Sequence, residues 1–206
     1  MSKIYWIGNY NPDLHHEQLA IVTRPRGNEW LSDELLSLRA QGIDVIISFL
    51  ESHERYELGL VAENTLAQNV GIEYLNYPIR DRQIPDSLWE TQIFIQQVTE
   101  FLDQGKAVGV HCRQSVGRAG FMAATILVEK GQTVDDAFIN VENARGRSVP
   151  DTEEQRGWVR KYAKMKQFFQ DDFHSDMKVI STPYPTFSNS LAISSGDGSF
   201  PIEFTL

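Results

Sequence analysis

The chain has 206 residues, one cysteine, 41% hydrophobic and 23% charged residues, and a formal net charge of −9. That length fits one large domain, or a domain with a tail, and buries enough core to fold without staples. A lone cysteine excludes an internal disulfide framework and any Cys-cluster metal site. The acidic balance argues against nucleic-acid partners and a polybasic membrane anchor. No apolar stretch approaches the roughly 20 residues needed to span a bilayer; the run from Ala119 to Val128 is closed by Glu129 and Lys130. The N-terminus lacks the charged start and long apolar region of a signal peptide. A soluble, cytoplasmic protein is expected.

In chain order, short apolar runs predict strands at Ile4–Ile7, Leu19–Thr23, Val45–Leu50, Ile72–Tyr77 and Ala107–His111. Helical periodicity lies between them. Leu31, Leu35, Leu36 and Leu38 mark one face, with Ser32 as a cap and Gly42 as a stop. Leu58, Val61, Leu66 and Val70 suggest a second helix ending before Gly71, and Leu88 to Leu102 a third ending before Gly105. Three more follow at Ala119–Lys130, Val134–Ala144 and Glu153–Phe169. Strands alternating with helices predict an α/β fold, a mainly parallel central sheet flanked by helices. The expected domain covers residues 1–170. Residues 171–206, rich in Ser, Thr, Pro and Gly with no amphipathic period, read as a polar tail.

Parallel sheets bind ligands beyond the carboxyl ends of their strands, so the loop after Ala107–His111 is the first candidate. It reads His111-Cys112-Arg113-Gln114-Ser115-Val116-Gly117-Arg118 and runs into a helix. Backbone N–H groups and a helix N-terminus converging on one spot form an anion seat, and such a positive setting suits a thiolate nucleophile. The planar Arg118 fork matches two oxygens of a phosphoryl group. On these residues alone, Cys112 also fits a small buried hydrophobe at a strand end. Two further segments sharpen the choice. Tyr77 to Asp86, leaving the fourth strand, carries Asp81, a carboxylic acid able to protonate a departing oxygen. Ser148 to Gln155 offers Asp151 or Thr152 as a helix cap, with Gln155 in the first turn able to orient a water.

Together these segments resemble the cysteine-dependent protein phosphatases. His111 to Arg118 looks like their signature loop, and Pro78-Ile79-Arg80-Asp81 with Pro85 resembles the general-acid loop of the dual-specificity branch. Thr152 to Gln155 is similar to a water-positioning glutamine element, and Ala20 to Gly27 with Trp30-Leu31 resembles a bacterial subgroup. The match covers about residues 17 to 165 and implies a protein tyrosine phosphatase-like fold. It implies hydrolysis of phosphotyrosine, and of phosphoserine or phosphothreonine under dual specificity, through phosphocysteine. Cys112 is then the nucleophile and Asp81 the acid and base. Arg118 and the loop from Arg113 through Gln114, Ser115, Val116 and Gly117 hold the phosphate, while Gln155 aims the water and His111 supports the loop. No metal or other cofactor is implied, and the partner is a phosphorylated protein or small phosphoester.

The chain departs from the family pattern at two points: Ser115 stands where Gly is usual, and Ala119 where Ser or Thr is usual. The absent hydroxyl at 119 is expected to slow breakdown of the phosphocysteine more than its formation. These departures leave a second class open, a module that binds phosphorylated ligands with little turnover. Arsenate reductases that relay through further cysteines are excluded by the cysteine count. The low-molecular-weight phosphatases place loop and acid in the reverse order, and a rhodanese-like sulfurtransferase leaves Asp81 and Gln155 unexplained. Arg80, Arg82, Arg113, Arg118, Arg145 and Arg147 are expected to gather as a positive rim. His15-His16 is expected on the surface, and Trp6, Trp30, Trp89 and Trp158 in or beside the core.

Overall fold

In the computed structural model residues 1–8 and 18–180 are described, with side chains through residue 169. Five strands form one sheet: β1 (Ile4–Trp6), β2 (Gln18–Val22), β3 (Val45–Ser48), β4 (Glu73–Asn76) and β5 (Ala107–His111). Their order is β1-β2-β5-β3-β4; β1 runs antiparallel to β2, and every other pairing is parallel. Each expected strand is present to within two residues at either end. The runs of β2, β3 and β5 are short and apolar because helices cover both faces of the sheet and bury them on both sides, while the edge strands β1 and β4 are only half-buried.

Side chains alternate across the pleat. Ile21, Val45, Ile47, Val108 and Val110 face a core shared with Ile95, Val98, Phe121, Met122, Trp158 and Tyr162. Val22 and Ile46 face the other layer, with Leu31, Leu35, Leu38 and Ala67. Among the described residues the α-helices are α1 (Leu31–Ala40), α2 (Ser52–Glu57), α3 (Glu63–Asn69), α4 (Leu88–Asp103), α5 (Gly117–Glu129), α6 (Val134–Arg145) and α7 (Glu153–Ile180). Ser87 caps α4 by accepting the Glu90 N–H at 3.2 Å. Helix α5 is buried on nearly its whole circumference, which explains the apolar run from Ala119: it is a central core helix. Among the described residues no helix is long and apolar enough to cross a membrane.

Several local expectations are corrected. Ser32 lies inside α1, which follows a single 3-10 turn over Asn28–Trp30 and has no side-chain cap. Of the second expected helix, marked by Leu58, Val61, Leu66 and Val70, only α3 is helical; Gly59 adopts φ +67° and breaks the chain ahead of it, and α2, which precedes Leu58, was not expected. Helix α7 continues to Ile180, past the Phe169 expected. Trp158 is buried and Trp6 half-buried, but Trp30 and Trp89 are exposed. Trp30 carries the Arg26 guanidinium 4.7 Å from its ring centre, and Trp89 rests beside Phe169. Such contacts let a large ring remain at the surface. His15-His16 and residues 181–206 lie outside the described residues.

Topology delivers the site. Strands β2, β3, β4 and β5 are mutually parallel, so the segments that leave them emerge at one edge of the sheet, and β5 is central. Two glycines then shape the first turn of α5. A Cβ on Gly120 would lie 2.9 Å from Val149 Cβ, and one on Gly117 would lie 2.0 Å from an Asp151 carboxylate oxygen. Three residues apart on a helix, Gly117 and Gly120 share a face and open a notch that receives the Val149–Asp151 segment. Val149 is fully buried there, and Arg156 donates to its carbonyl at 2.8 Å. Gly120→Ala gains about 1 kcal/mol of helix propensity but overpacks a rigid branched side chain, at about 1–3 kcal/mol. A net loss of stability is expected in urea denaturation; a stabilised variant would contradict the notch.

Candidate active site

Cys112 follows β5 directly and is buried. The chain turns through Ser115, at φ +54°, into α5. No side chain caps α5, so the N–H groups of its first turn remain available to an anion. The loop's carbonyls are held on the outside by two guanidinium groups. Arg24, just past β2, donates to Arg113 O at 3.3 Å. Arg145, from the last turn of α6, donates to Ser115 O at 2.7 Å and Gln114 O at 3.3 Å. The Arg145 guanidinium also lies 4.3 Å from the Tyr5 ring centre. Fixing the oxygens outward turns the intervening amides inward, the arrangement an oxyanion requires.

Arg118 is almost wholly buried. Its Nη1 and Nη2 donate to the two carboxylate oxygens of Glu54 at 2.6 and 2.8 Å, an end-on bidentate pair. Nη1 also donates to Ile79 O at 2.8 Å, and Nη2 lies 3.0 Å from Asp81 Oδ1. Glu54 belongs to the short helix after β3, where it closes a capping box with Glu51. Burial pushes the Glu54 carboxyl up, but the Arg118 bonds outweigh it and hold the group below the usual carboxylate range. Burial likewise lowers Arg118, yet Glu54 and the neighbouring anions leave it raised.

Behind the loop His111 is fully buried with Nε2 3.0 Å from Glu63 Oε1, itself fully buried at the start of α3. The two groups face each other without a well-aligned hydrogen bond. Tyr74 on β4 shares this region, and burial reinforced by Glu63 pushes its hydroxyl up to about 12.

A small cavity of about 110 Å³ sits over the loop, lined by Cys112, Arg113, Gln114 and Arg118, by Asp81 and Arg82, and by Asp151. Sites for drug-sized ligands hold roughly 300–1,000 Å³. A space this small takes a group of phosphoryl size and leaves the rest of a substrate outside. Gln155 lies one layer behind; its Nε2 donates to Gln83 O at 3.1 Å, and its buried Oε1 has no hydrogen-bond partner. Thr152, rather than Asp151, caps α7 by accepting the Gln155 N–H at 3.2 Å.

The structure thus brings Cys112, Arg118 and Asp81 to one place, with Gln155 beside the Asp81 loop. It also supplies residues the sequence reading passed over. Glu54 and Glu63 carry no motif of their own, and Asp151 was expected only as a helix cap. The available signal was position: Glu54 follows a strand end that topology places beside β5. The expected positive rim is largely answered by acids, with Arg80 paired to Asp86 at 2.8 Å and Arg113 to Glu57 at 3.2 Å. Among the described residues no group of three or more His, Cys, Asp or Glu side chains is placed to hold a metal ion.

Comparison with known proteins names this arrangement. The family described as Tc-R-P, the DSP-PTPase phosphatase of polymorphic toxin systems, matches residues 20–132, and the chain belongs to that family. It is 22% identical over 156 residues to protein tyrosine phosphatase type IVA 3 of Mus musculus, covering 75% of this chain and 84% of that protein. A kinase associated phosphatase whose catalytic-site cysteine is replaced by serine superposes with a TM-score of 0.67 at 18% identity, covering 79% of this chain and 94% of the other. PTPMT1 in complex with PI(5)P gives 0.59 at 16%, covering 74% and 92%. The protein is a cysteine-dependent phosphatase of the protein-tyrosine and dual-specificity class, on that class's fold, and acts on phosphorylated substrates.

Breaking a buried ion pair by removing one partner costs about 3–5 kcal/mol. Glu54→Gln is therefore expected to lose stability of that order at pH 7, read by urea denaturation. The folded carboxyl is depressed, so its contribution is complete above the usual carboxylate range and fades as pH falls below it. The gap between wild type and variant should narrow in acid; an unchanged gap at pH 3 would assign the loss to packing alone.

Proposed function

We propose that Cys112 attacks phosphorus in line while the loop amides and Arg118 hold the three remaining oxygens. The single observation that carries this reading is the guanidinium of Arg118: Glu54 takes one N–H from each terminal nitrogen, and Asp81 sits beside Nη2, which has a second N–H to give. An incoming phosphate and Asp81 compete for that nitrogen. Binding therefore frees Asp81 to turn toward the ester oxygen, where it donates a proton as the P–O bond breaks and the S–P bond forms. Water then attacks phosphorus, the S–P bond breaks, and Asp81 takes the water's proton. Gln155 suits the aiming of that water, since its Oε1 has no other partner and its Nε2 ties it to the Asp81 loop. His111, backed by Glu63, steadies the cysteine from behind.

Phosphotyrosine in proteins is the proposed substrate, with phosphoserine and phosphothreonine accepted because the cavity is small and the surface around it open. Residues 1–170 form the catalytic domain in this reading and 171–206 an appendage. The cytoplasm is the proposed place of action, because a thiolate nucleophile works only while reduced.

Ala119 is fully buried in the first turn of α5 and brings no hydroxyl toward the loop. Ser115 is fully buried too, and its Oγ has no hydrogen-bond partner. The second step is expected to limit the rate. Rapid mixing with an aryl phosphate should show a burst of released phenol, and Ala119→Ser should shrink it; linear release from the start would remove this expectation. Cys112→Ser should abolish turnover, and Asp81→Asn should lower kcat about 10²–10⁴-fold on alkyl phosphates. Undiminished turnover in Cys112→Ser would overturn the mechanism.

A further inference from the structure

The cavity over the nucleophile holds a carboxylate that the two-step chemistry leaves unused. Asp151 lines it together with Cys112 and Arg118, and its Oδ2 lies where a Cβ on Gly117 would be, 2.0 Å from that atom's ideal place. Asp151 itself is exposed, but the backbone on either side of it is held. Val149, two residues earlier, is buried against Gly120; Arg156 holds the Val149 carbonyl, and Glu142 accepts the Val149 N–H at 3.3 Å. Thr152, the next residue, is committed to the α7 cap. Asp151 thus places a carboxylate on the wall of an anion site.

Two of the three arginines that line the cavity are already answered by acids: Arg118 is matched by Glu54 and Asp81, and Arg113 lies 3.2 Å from Glu57 and 3.7 Å from Glu54. Arg82 completes the lining with no carboxylate paired to it among the described residues, and Arg80, outside the lining, is paired with Asp86. The whole chain adds a formal charge of −9. One phosphoryl group is accepted because the loop amides and Arg118 converge on it. A second anion carried next to that group meets Asp151 and the acids that answer the arginines, inside a Debye length of about 8–10 Å.

We propose that Asp151 is a specificity-determining residue: it selects phosphorylated proteins whose residues next to the phosphoresidue are neutral or basic, and rejects substrates with a second negative charge there. The inference rests on the phosphatase reading of this site and adds a substrate class to it. Selection works by exclusion, a repulsive element against the competitor.

The test uses the full chain and two phosphotyrosine peptides that differ only in the flanking residues, Glu in one and Lys in the other. A soluble inositol bisphosphate serves as a third substrate. Wild type should favour the Lys peptide in kcat/KM. Asp151→Asn and Asp151→Ser should each move the Lys-to-Glu ratio about tenfold toward the Glu peptide, the scale of one screened charge a few ångströms away, and raise relative turnover of the bisphosphate. Wild-type selectivity should fall as salt is added. An unchanged ratio overturns the proposal, as does an equal loss on every substrate, which would make Asp151 part of the chemistry. A wild-type preference for the Glu peptide or the bisphosphate also overturns it. The same ratio is read as binding affinity on Cys112→Ser, so the selection is measured even without turnover. Absence of both turnover and binding removes the phosphatase reading and this proposal with it, whereas turnover with an unshifted ratio removes the proposal alone.

Discussion

The buried pair between Arg118 and Glu54 is the constraint on which the site depends. A guanidinium placed in the interior at the start of a core helix has to be answered there, or it destabilises the fold. Glu54 answers it with both oxygens, and the carbonyls of Phe49 and Ile79 lie against the same nitrogen. Those contacts tie together the ends of β3 and β4, the short helix α2 and the first turn of α5. Arg118 cannot swing, so the edge it presents to a phosphate is set before any substrate arrives. Such preorganisation is worth most where water is excluded.

The loop is built on the same logic with its polarity reversed. An oxyanion seat needs amides pointing inward, and that forces carbonyls outward, where they too need partners. Arg24 and Arg145 provide them from opposite ends of the chain, one after β2 and one from α6. Two of the positive charges near the site therefore act on backbone shape. Counting arginines as a field that draws in anions, as their clustering in the sequence suggests, overstates the attraction. Most of that charge is already satisfied by the protein's own oxygens.

How much of this was legible follows from the range of the interactions. The five strands and the span of α4 were readable because they depend on local apolar period and glycine stops. That Cys112, Arg118 and Asp81 meet at one cavity was readable because their motifs are compact in sequence. Glu54 and Glu63 were not, because each matters only through a partner 64 or 48 residues away in the chain. Their own surroundings, Ser52 to Asn69, carry the ordinary look of exposed helices. The single helix expected there failed for a related reason: a left-handed Gly59 is a backbone event that hydrophobic spacing does not report. Trp30 and Trp89 were misplaced because an aromatic in an apolar pattern can equally lie flat on the surface under a cation or beside another ring.

The notch on the first turn of α5 has a consequence for the history of the site. Gly117 has no side chain because the Asp151 carboxylate occupies the space, and Gly120 because Val149 does. A change at 117 that adds even a methyl group must be matched by a smaller or displaced residue at 151, and the reverse change opens a void. The nucleophile loop and the segment before α7 are thus one inherited unit, although about thirty residues separate them. Descendants of this chain that alter the wall of the pocket would have to rewrite both segments together, so a shift in substrate preference would leave a paired signature in sequence.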